Sequence, residues 1–471
     1  MATEIFDVIV VGGGPIGLAA TYEVAKTGAS VLVLEKNNSL TRREVPAILL
    51  ECFEPCEVCR FFLQHLMANP IDRYTEDFMA DLAKDAMKLW DDLEEDSGTS
   101  LRWMSGLLNF GDKDYGGNTP EGTLLGPKDN LKRLEMTFKE LTATQIQERY
   151  PFKDLPPDWI GLFAPDNGVI NVQLLLRTLL SLAKDYGAEA KQHTSVLKIR
   201  PCKTDKNIWQ VHTIRHETED ITFRAKKIII SPGAYVNHIL KPSFGVHLDL
   251  DIWEMVASYF NCNAGPKGTI FPSMWFQFAP DNNGRSRLFY GFPTVPWGPP
   301  NLTRIAVDAA SRRIKDPSER LTNVVNPDDI RDTQDFIKAH VVGVDATVPA
   351  FTLTSLQTNV SDNMFVMDYI PKEYLHGGRE KSVVVFTAGW AMKFVPLLGK
   401  ALAEMALHGK SGFEREQFSI TRKDKKNRPI LVDDNEDDSH GDRLRGESSF
   451  AFTQQASGSS FRGPSQHGQI L

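Results

Sequence analysis

Residues Phe6–Lys36 read FDVIVVGGGPIGLAATYEVAKTGASVLVLEK, and the fold is decided here. Phe6 to Val11 is β-branched and apolar on both faces, the pattern of a strand buried inside a parallel sheet. Gly12-x-Gly14-x-x-Gly17 follows at once, then a helical pattern over Pro15 to Lys26, with Gly28 placed to end it. A second buried strand, Val31 to Leu34, ends in Glu35. Gly12 permits the tight strand-to-helix turn, Gly14 lets the backbone approach a pyrophosphate, and Gly17 lets the helix pack closely on the sheet. The helix N-terminus, entered through Pro15 and Ile16, turns unpaired N–H groups and a partial positive charge toward that pyrophosphate. Glu35, with Lys36 beside it, stands where a carboxylate accepts hydrogen bonds from ribose hydroxyls and repels a 2′-phosphate. Strand, glycines, helix, strand and terminal acid in this order read as a dinucleotide-binding βαβ unit, not as an isolated glycine-rich turn. The unit alone does not choose between a flavin and a nicotinamide dinucleotide.

Outward from this unit, the chain alternates between two kinds of segment. A helical pattern covers Thr75 to Glu95, and Asn171 caps an apolar helix over Val172 to Tyr186 that stops at Gly187. Ser195 to Ile199 reads as a strand, and Trp209 to Arg215 alternates so as to pair with Ile221 to Arg224 in a hairpin. Lys227-Ile-Ile-Ile-Ser-Pro-Gly-Ala-Tyr235 is another buried strand that ends in a tight turn at Ser231 and Gly233, placed to extend the first sheet. Leu240 to Val348 is rich in aromatics, Val383 to Thr387 is a last buried strand, and Pro396 to His408 a last helix. The expectation is a discontinuous nucleotide domain (1–76, 166–240 and 349–420) interleaved with a substrate domain (77–165 and 241–348). Beyond about Thr421 the composition turns to Lys, Asp, Asn, Ser, Gly and Gln, so 421–471 is expected to be a disordered tail.

Composition bounds the class. The chain has 471 residues, enough for two or three lobes, with 41% hydrophobic and 24% charged residues, as in ordinary globular proteins. No apolar run approaches the roughly 20 residues of a membrane span, and the N-terminus carries no signal-peptide pattern. A net charge of −8 gives no support for a nucleic-acid or anionic-membrane partner. Five cysteines fit a reducing compartment better than a disulfide framework. An intracellular protein is expected, cytoplasmic in preference to peroxisomal, since Gln469-Ile-Leu471 is not the peroxisomal tripeptide.

Three further stretches carry a resemblance. Ser231-Pro-Gly-Ala-Tyr235, Ser355–Asp368 (SLQTNVSDNMFVMD) and Ala388–Gly399 (AGWAMKFVPLLG), together with the glycine fingerprint, resemble the flavin amine oxidases of the D-amino-acid oxidase superfamily, within it the sarcosine, pipecolate and saccharopine oxidase group. The resemblance implies an α/β fold in which an FAD-binding Rossmann-like domain is interleaved with an α+β substrate domain carrying a mainly antiparallel sheet. It implies that FAD accepts hydride from the carbon beside the nitrogen of an amino-acid-type secondary or cyclic amine. Water then hydrolyses the imine, and oxygen is reduced to hydrogen peroxide. A monomer with a small-molecule substrate is implied, and no metal. Lys393 matches a lysine that binds the substrate carboxylate, Tyr290 a tyrosine on the substrate side, and Val196 a backbone contact to the adenine end. Gly389, Met392 and Lys393 fall in the flavin loop, before a helix whose N-terminus stabilises the anionic reduced flavin. Apart from any family, Lys393 is a lone cation between a glycine loop and an apolar helix. It reads either as a receptor for an anion or as a surface lysine whose stem covers apolar residues.

The chain also departs from the family. Ser355 stands at the flavin-linking cysteine, and a hydroxyl is a far weaker nucleophile than a thiolate, so non-covalent FAD is predicted. Arg304 matches the lysine that activates oxygen, and Asp308 a nearby histidine. Arginine keeps the charge but not the ammonium's geometry, which opens the alternative of a dehydrogenase with another electron acceptor. Trp390 replaces a histidine, as a pocket wall or as a core residue. The stretch Ser39–Arg73 lacks the family's Ser/Gly/Arg-rich segment, so a non-catalytic FAD-fold protein is a second alternative, and an NAD-linked dehydrogenase a third. Cys52, Cys56 and Cys59 in that stretch, with His65 beyond, have the spacing of an iron–sulfur motif but the wrong fold context, and read as free cysteines.

Overall fold

Strand β1 (Ile5–Val11) is the hub of the first sheet because its residues are apolar on both sides, and Val8, Ile9 and Val10 retain no exposed surface. In the computed structural model, which describes residues 4–37, 73–113, 124–263, 270–280, 286–307, 311–321 and 325–434, β1 pairs in parallel with β2 (Val31–Leu34) on one side and with Glu219–Ile230 on the other. Outward from there lie Glu189–Lys191 at one edge, and Val383–Thr387 followed by the antiparallel Val366–Tyr369 at the other. Where the sequence suggested two strands, Ile221–Arg224 and one from Lys227, a single twelve-residue strand Glu219–Ile230 runs through. Its first half pairs antiparallel with Trp209–Arg215 and its second half lies against β1, so one strand joins hairpin to sheet.

Helices cover this sheet on one face. Helix α1 (Pro15–Lys26) and the last helix, Val395–His408, share a core with Val172–Asp185 and Arg73–Ser97 through Leu18, Leu175, Trp90 and Leu398. The 73–97 helix therefore packs on the nucleotide-type sheet, although the sequence pattern places residues from 77 onward in the substrate domain. Asn171 caps its helix as expected, accepting from the Leu174 N–H at 3.1 Å.

The second sheet has nine strands among the described residues, and is antiparallel except where Met274–Pro280 runs parallel to Leu107–Gly111. Period-two alternation divides its side chains. Leu108, Phe110, Trp275 and Phe289 face the helix Pro327–His340, where Phe289 stacks on Phe336 at 4.4 Å. Phe276, Phe278, Tyr290 and Ala306 lie on the opposite face. Phe351–Val360 hydrogen-bonds along Leu250–Asn261 in this second sheet, so a domain boundary at 349 does not follow the strands.

The start of the expected tail is corrected too. Ile420 and Ile430 are fully buried, and Leu431–Asp433 pairs with Val246–Leu248. Asp368 accepts hydrogen bonds from the Ser419 hydroxyl and the Ile420 N–H, and Arg422 forms a two-pronged pair with Asp362 at 2.7 and 2.9 Å. These tertiary bonds hold residues to 434 in place despite their polar composition. Residues 435–471, the 38–72 stretch with its cysteines, and Asp308 lie outside the described residues.

Candidate active site

A cavity of about 600 Å³ runs from the β1–α1 turn to the loop before the last helix. Gly12, Gly14, Pro15, Ile16, Glu35, Lys36 and Val196 line one end, the Ser231–Gly233 turn the middle, and Gly389 and Met392 the other end, following the strand order of the first sheet and the Thr194 N–H bond to the Glu35 carbonyl oxygen. Local sequence explains the first end. Gly12 has φ +105°, and a Cβ there would stand 2.6 Å from the Ser231 carbonyl oxygen, so only glycine fits. Gly14 caps α1 without any side-chain hydrogen bond, and a Cβ on it would meet nothing within 4 Å, so its face toward the cavity is open. Gly17 does not line the cavity. A Cβ there would lie 1.9 Å from the Gly12 carbonyl oxygen, which makes it the residue that lets helix and turn close together.

The Glu35 carboxylate is aimed by two backbone donors, Gly13 N–H at 2.8 Å and Asn37 N–H at 2.7 Å. Each carboxylate oxygen has a second acceptor site to spare. Lys36 lies 3.0 Å from the centroid of the Tyr235 ring, and both residues line the cavity. At the far end, Thr387 is 2% exposed, lines the cavity, and has a buried hydroxyl oxygen with no hydrogen-bond partner. Its position at the end of a buried strand, two residues before Gly389, is the only sequence signal for it. Arg320 and His238 also line the cavity, and no motif pointed to either.

The four residues expected to act on substrate lie outside the cavity lining. Lys393 sits in a short 3-10 turn, Met392–Phe394, and is 4% exposed, which removes the surface-lysine reading. Its carbonyl oxygen accepts from the Trp90 indole N–H at 2.8 Å, and its ammonium lies 5.1 Å from the Trp390 ring centroid. Trp390 packs at 4.3 Å on Phe365 within the first core and donates its indole N–H to the Asn363 carbonyl oxygen at 2.9 Å. Arg304 donates to the Tyr290 hydroxyl at 2.7 Å, with its guanidinium 5.1 Å from the Phe292 ring. Alternation places Tyr290 and Arg304 on one face of the second sheet, the face opposite the Pro327–His340 helix. Ser355 is 9% exposed and absent from the lining, whereas its neighbours Leu356 and Thr358 belong to it.

The chain matches the model of a family described as DAO, FAD dependent oxidoreductase, over residues 7–405. A Dictyostelium discoideum protein named as a bifunctional amine oxidase is 44% identical over 428 residues, 88% of this chain but 37% of that protein, so the chain spans little over a third of that relative's length. Human peroxisomal sarcosine oxidase is 24% identical over 89% of this chain and 96% of its own. Among solved structures, NikD, described as an unusual amino acid oxidase essential for nikkomycin biosynthesis, has a TM-score of 0.72 and 29% identity over 88% of this chain and 98% of its own. The site accepts the family's cofactor on physical grounds. The glycine turn leaves room for a diphosphate, the carboxylate of Glu35 is aimed, and Thr387 offers an unsatisfied hydroxyl.

Proposed function

The chain belongs to the DAO family of FAD-dependent oxidoreductases, and from that membership we propose that it oxidises an amino-acid-type secondary or cyclic amine to an imine, which water hydrolyses, with oxygen reduced to hydrogen peroxide. FAD, when bound, supplies the acceptor for the hydride. The observation that carries the reading is the juxtaposition at one end of the cavity: Gly389 and Met392 line it, and one residue on, Lys393 is buried among aromatic rings. In this reading the Lys393 ammonium receives the substrate carboxylate, which fixes the amine carbon relative to the cofactor. Trp90 holds the Lys393 backbone in place. Tyr290 and Arg304 form a linked polar pair on the sheet face that also carries Phe276, Phe278 and Ala306, and this reading gives the pair the oxygen side or substrate orientation. The cofactor is held without a covalent bond in this reading, since Ser355 is a hydroxyl and does not line the cavity. The protein works as a monomer inside the cell, in the cytoplasm in preference to the peroxisome.

A second reading, a dehydrogenase with an acceptor other than oxygen, is favoured by Arg304 itself, whose guanidinium is drawn to the Tyr290 hydroxyl. Two measurements test both readings. The visible spectrum of the full chain, before and after acid precipitation, should show flavin that stays in the acid supernatant. An amine screen should then give peroxide in air; turnover on an artificial dye without peroxide would select the dehydrogenase. A colourless chain that FAD cannot reconstitute would end the enzyme reading.

A further inference from the structure

Arg320 is the one arginine among the described residues that line the cavity, and it comes from the second-sheet side, in the turn after Arg312–Ile314. The turn is stiff. Asp316 caps the 3-10 turn Pro317–Glu319, and the Glu319 side chain returns to the Asp316 N–H at 2.8 Å. Arg320 donates through Nη2 to the carbonyl oxygen of Thr354. Thr354, Leu356 and Thr358 share one side of the Phe351–Val360 strand, and Leu356 and Thr358 line the cavity, so the guanidinium is held along that wall.

Two features show that this charge is not spent on the fold. The Nε of Arg320 is buried and has no hydrogen-bond partner. The carboxylates around it are engaged elsewhere: Glu254 by Arg312 at 2.6 Å and by the Leu321 N–H at 3.0 Å, Asp316 by His238 at 2.9 Å and the Ser318 N–H at 2.9 Å, and Glu319 by the Lys315 and Asp316 N–H groups. A guanidinium anchored by one nitrogen, with a buried donor unsatisfied and no carboxylate for itself, is a receptor for an anionic group.

We propose that Arg320 binds negative charge on the cofactor. This inference rests on the FAD reading above and adds a cofactor ligand from outside the nucleotide-binding motifs. Two groups on FAD have that chemistry: the diphosphate, which is always anionic, and the flavin ring, which gains one negative charge when the substrate's hydride is transferred to it. A guanidinium on the diphosphate strengthens binding of oxidised FAD. One beside the ring favours the reduced form and raises the midpoint potential.

The test uses the full chain as wild type, Arg320→Gln and Arg320→Lys, with three readouts: the FAD dissociation constant of the apoprotein by flavin fluorescence, the midpoint potential of the holoprotein, and the apoprotein melting temperature. On the diphosphate, Arg320→Gln weakens oxidised FAD roughly 10- to 100-fold, as loss of one charge-assisted hydrogen bond does, and Arg320→Lys recovers part of it. On the ring, oxidised FAD binds as in wild type, while a tenfold loss of preference for the reduced form lowers the potential by about 30 mV for this two-electron couple. Unchanged affinity together with unchanged potential overturns the proposal. So does weaker FAD binding that comes with a lower apoprotein melting temperature and that Arg320→Lys does not recover, which would assign Arg320 a structural task. A wild-type chain that takes up no FAD sinks the cofactor reading itself, and the proposal with it.

Discussion

Two strand-to-helix turns meet the cavity, and they solve opposite problems. The turn from β1 into α1 carries no side chain beyond Pro15 and Ile16, and works by backbone alone: Gly14 caps the helix without a side-chain bond, and Gly12 and Gly17 bring the chain within contact of itself. The turn from Val383–Thr387 into the last helix also enters with proline and no side-chain cap, but it is loaded with side chains, Trp390, Met392 and Lys393, set by a 3-10 turn before the helix begins. The first fits a ligand whose charge is met by N–H groups. The second fits one whose parts must be distinguished. The two helices then pack on each other where a Cβ on Gly399 would come 2.5 Å from the Cβ of Ala19, so the two turns are held as one rigid pair.

The largest expected effect breaks the first turn. Gly17→Ala places a methyl 1.9 Å from a backbone oxygen that cannot move without opening the turn. A loss of roughly 3 kcal/mol or more is expected in urea unfolding, with loss of bound flavin. Gly389→Ala, its counterpart in the second turn, first meets the Gln357 side chain at 2.5 Å, which can swing aside, although the Thr358 carbonyl oxygen at 2.9 Å is less forgiving. It should cost less than Gly17→Ala, and an equal or greater cost would show that the second turn is also limited by its backbone.

Next comes a side-chain effect that should leave the cofactor alone. Lys393→Ala is expected to raise KM roughly 10- to 100-fold for a carboxylate-bearing amine, with flavin content unchanged, the loss expected for one charge-assisted hydrogen bond. Unchanged kinetics would remove Lys393 from substrate binding. Smaller still is Trp90→Phe, which deletes the 2.8 Å bond to the Lys393 carbonyl oxygen and should cost about 1 kcal/mol of stability. If the bond positions the lysine, KM should rise alongside. A stability loss with KM unmoved would make it a packing contact only.

The same contrast explains what could be read from sequence. The β1–α1–β2 unit was legible because each of its constraints is local: buried apolar strands, glycines at fixed offsets, a terminal acid. All the expected cofactor contacts line the cavity except Gly17, which packs behind it, and Lys393, which lies one residue beyond it. Arg320 was invisible because its meaning depends on Thr354, thirty-four positions on, and on which carboxylates other residues have taken. The folded stretch 421–434 was missed for the same reason. Its polar composition says nothing of Asp362, which holds Arg422 from sixty positions away, or of Val246–Leu248, which pairs with Leu431–Asp433. Trp390 and Tyr290 read as aromatic walls in the sequence, yet neither lines the cavity, because whether such residues face a ligand or a core is settled by packing, which sequence does not carry.

The smallest effect lies at the rim where the second sheet reaches the cofactor turn. Burial opposes ionisation of Asp316, yet the Ser318 hydroxyl and N–H and the His238 ring outweigh it and hold the carboxyl down at about 2, below its usual 3.8. A depressed folded-state value means that the unfolded chain binds the proton more readily. The stability this group contributes is thus fully present above about pH 4, and is lost as pH falls toward 2. The His238–Asp316 pair is about two-fifths exposed on both sides, so solvent screens it and the contribution stays well under about 1 kcal/mol. Melting curves between pH 2 and 5 should show Asp316→Asn losing less than wild type as acid is added, by a difference confined to that window. A parallel pair of curves would mean that this contact does not help close the rim, and would leave the Thr354 anchor as what holds Arg320 in place.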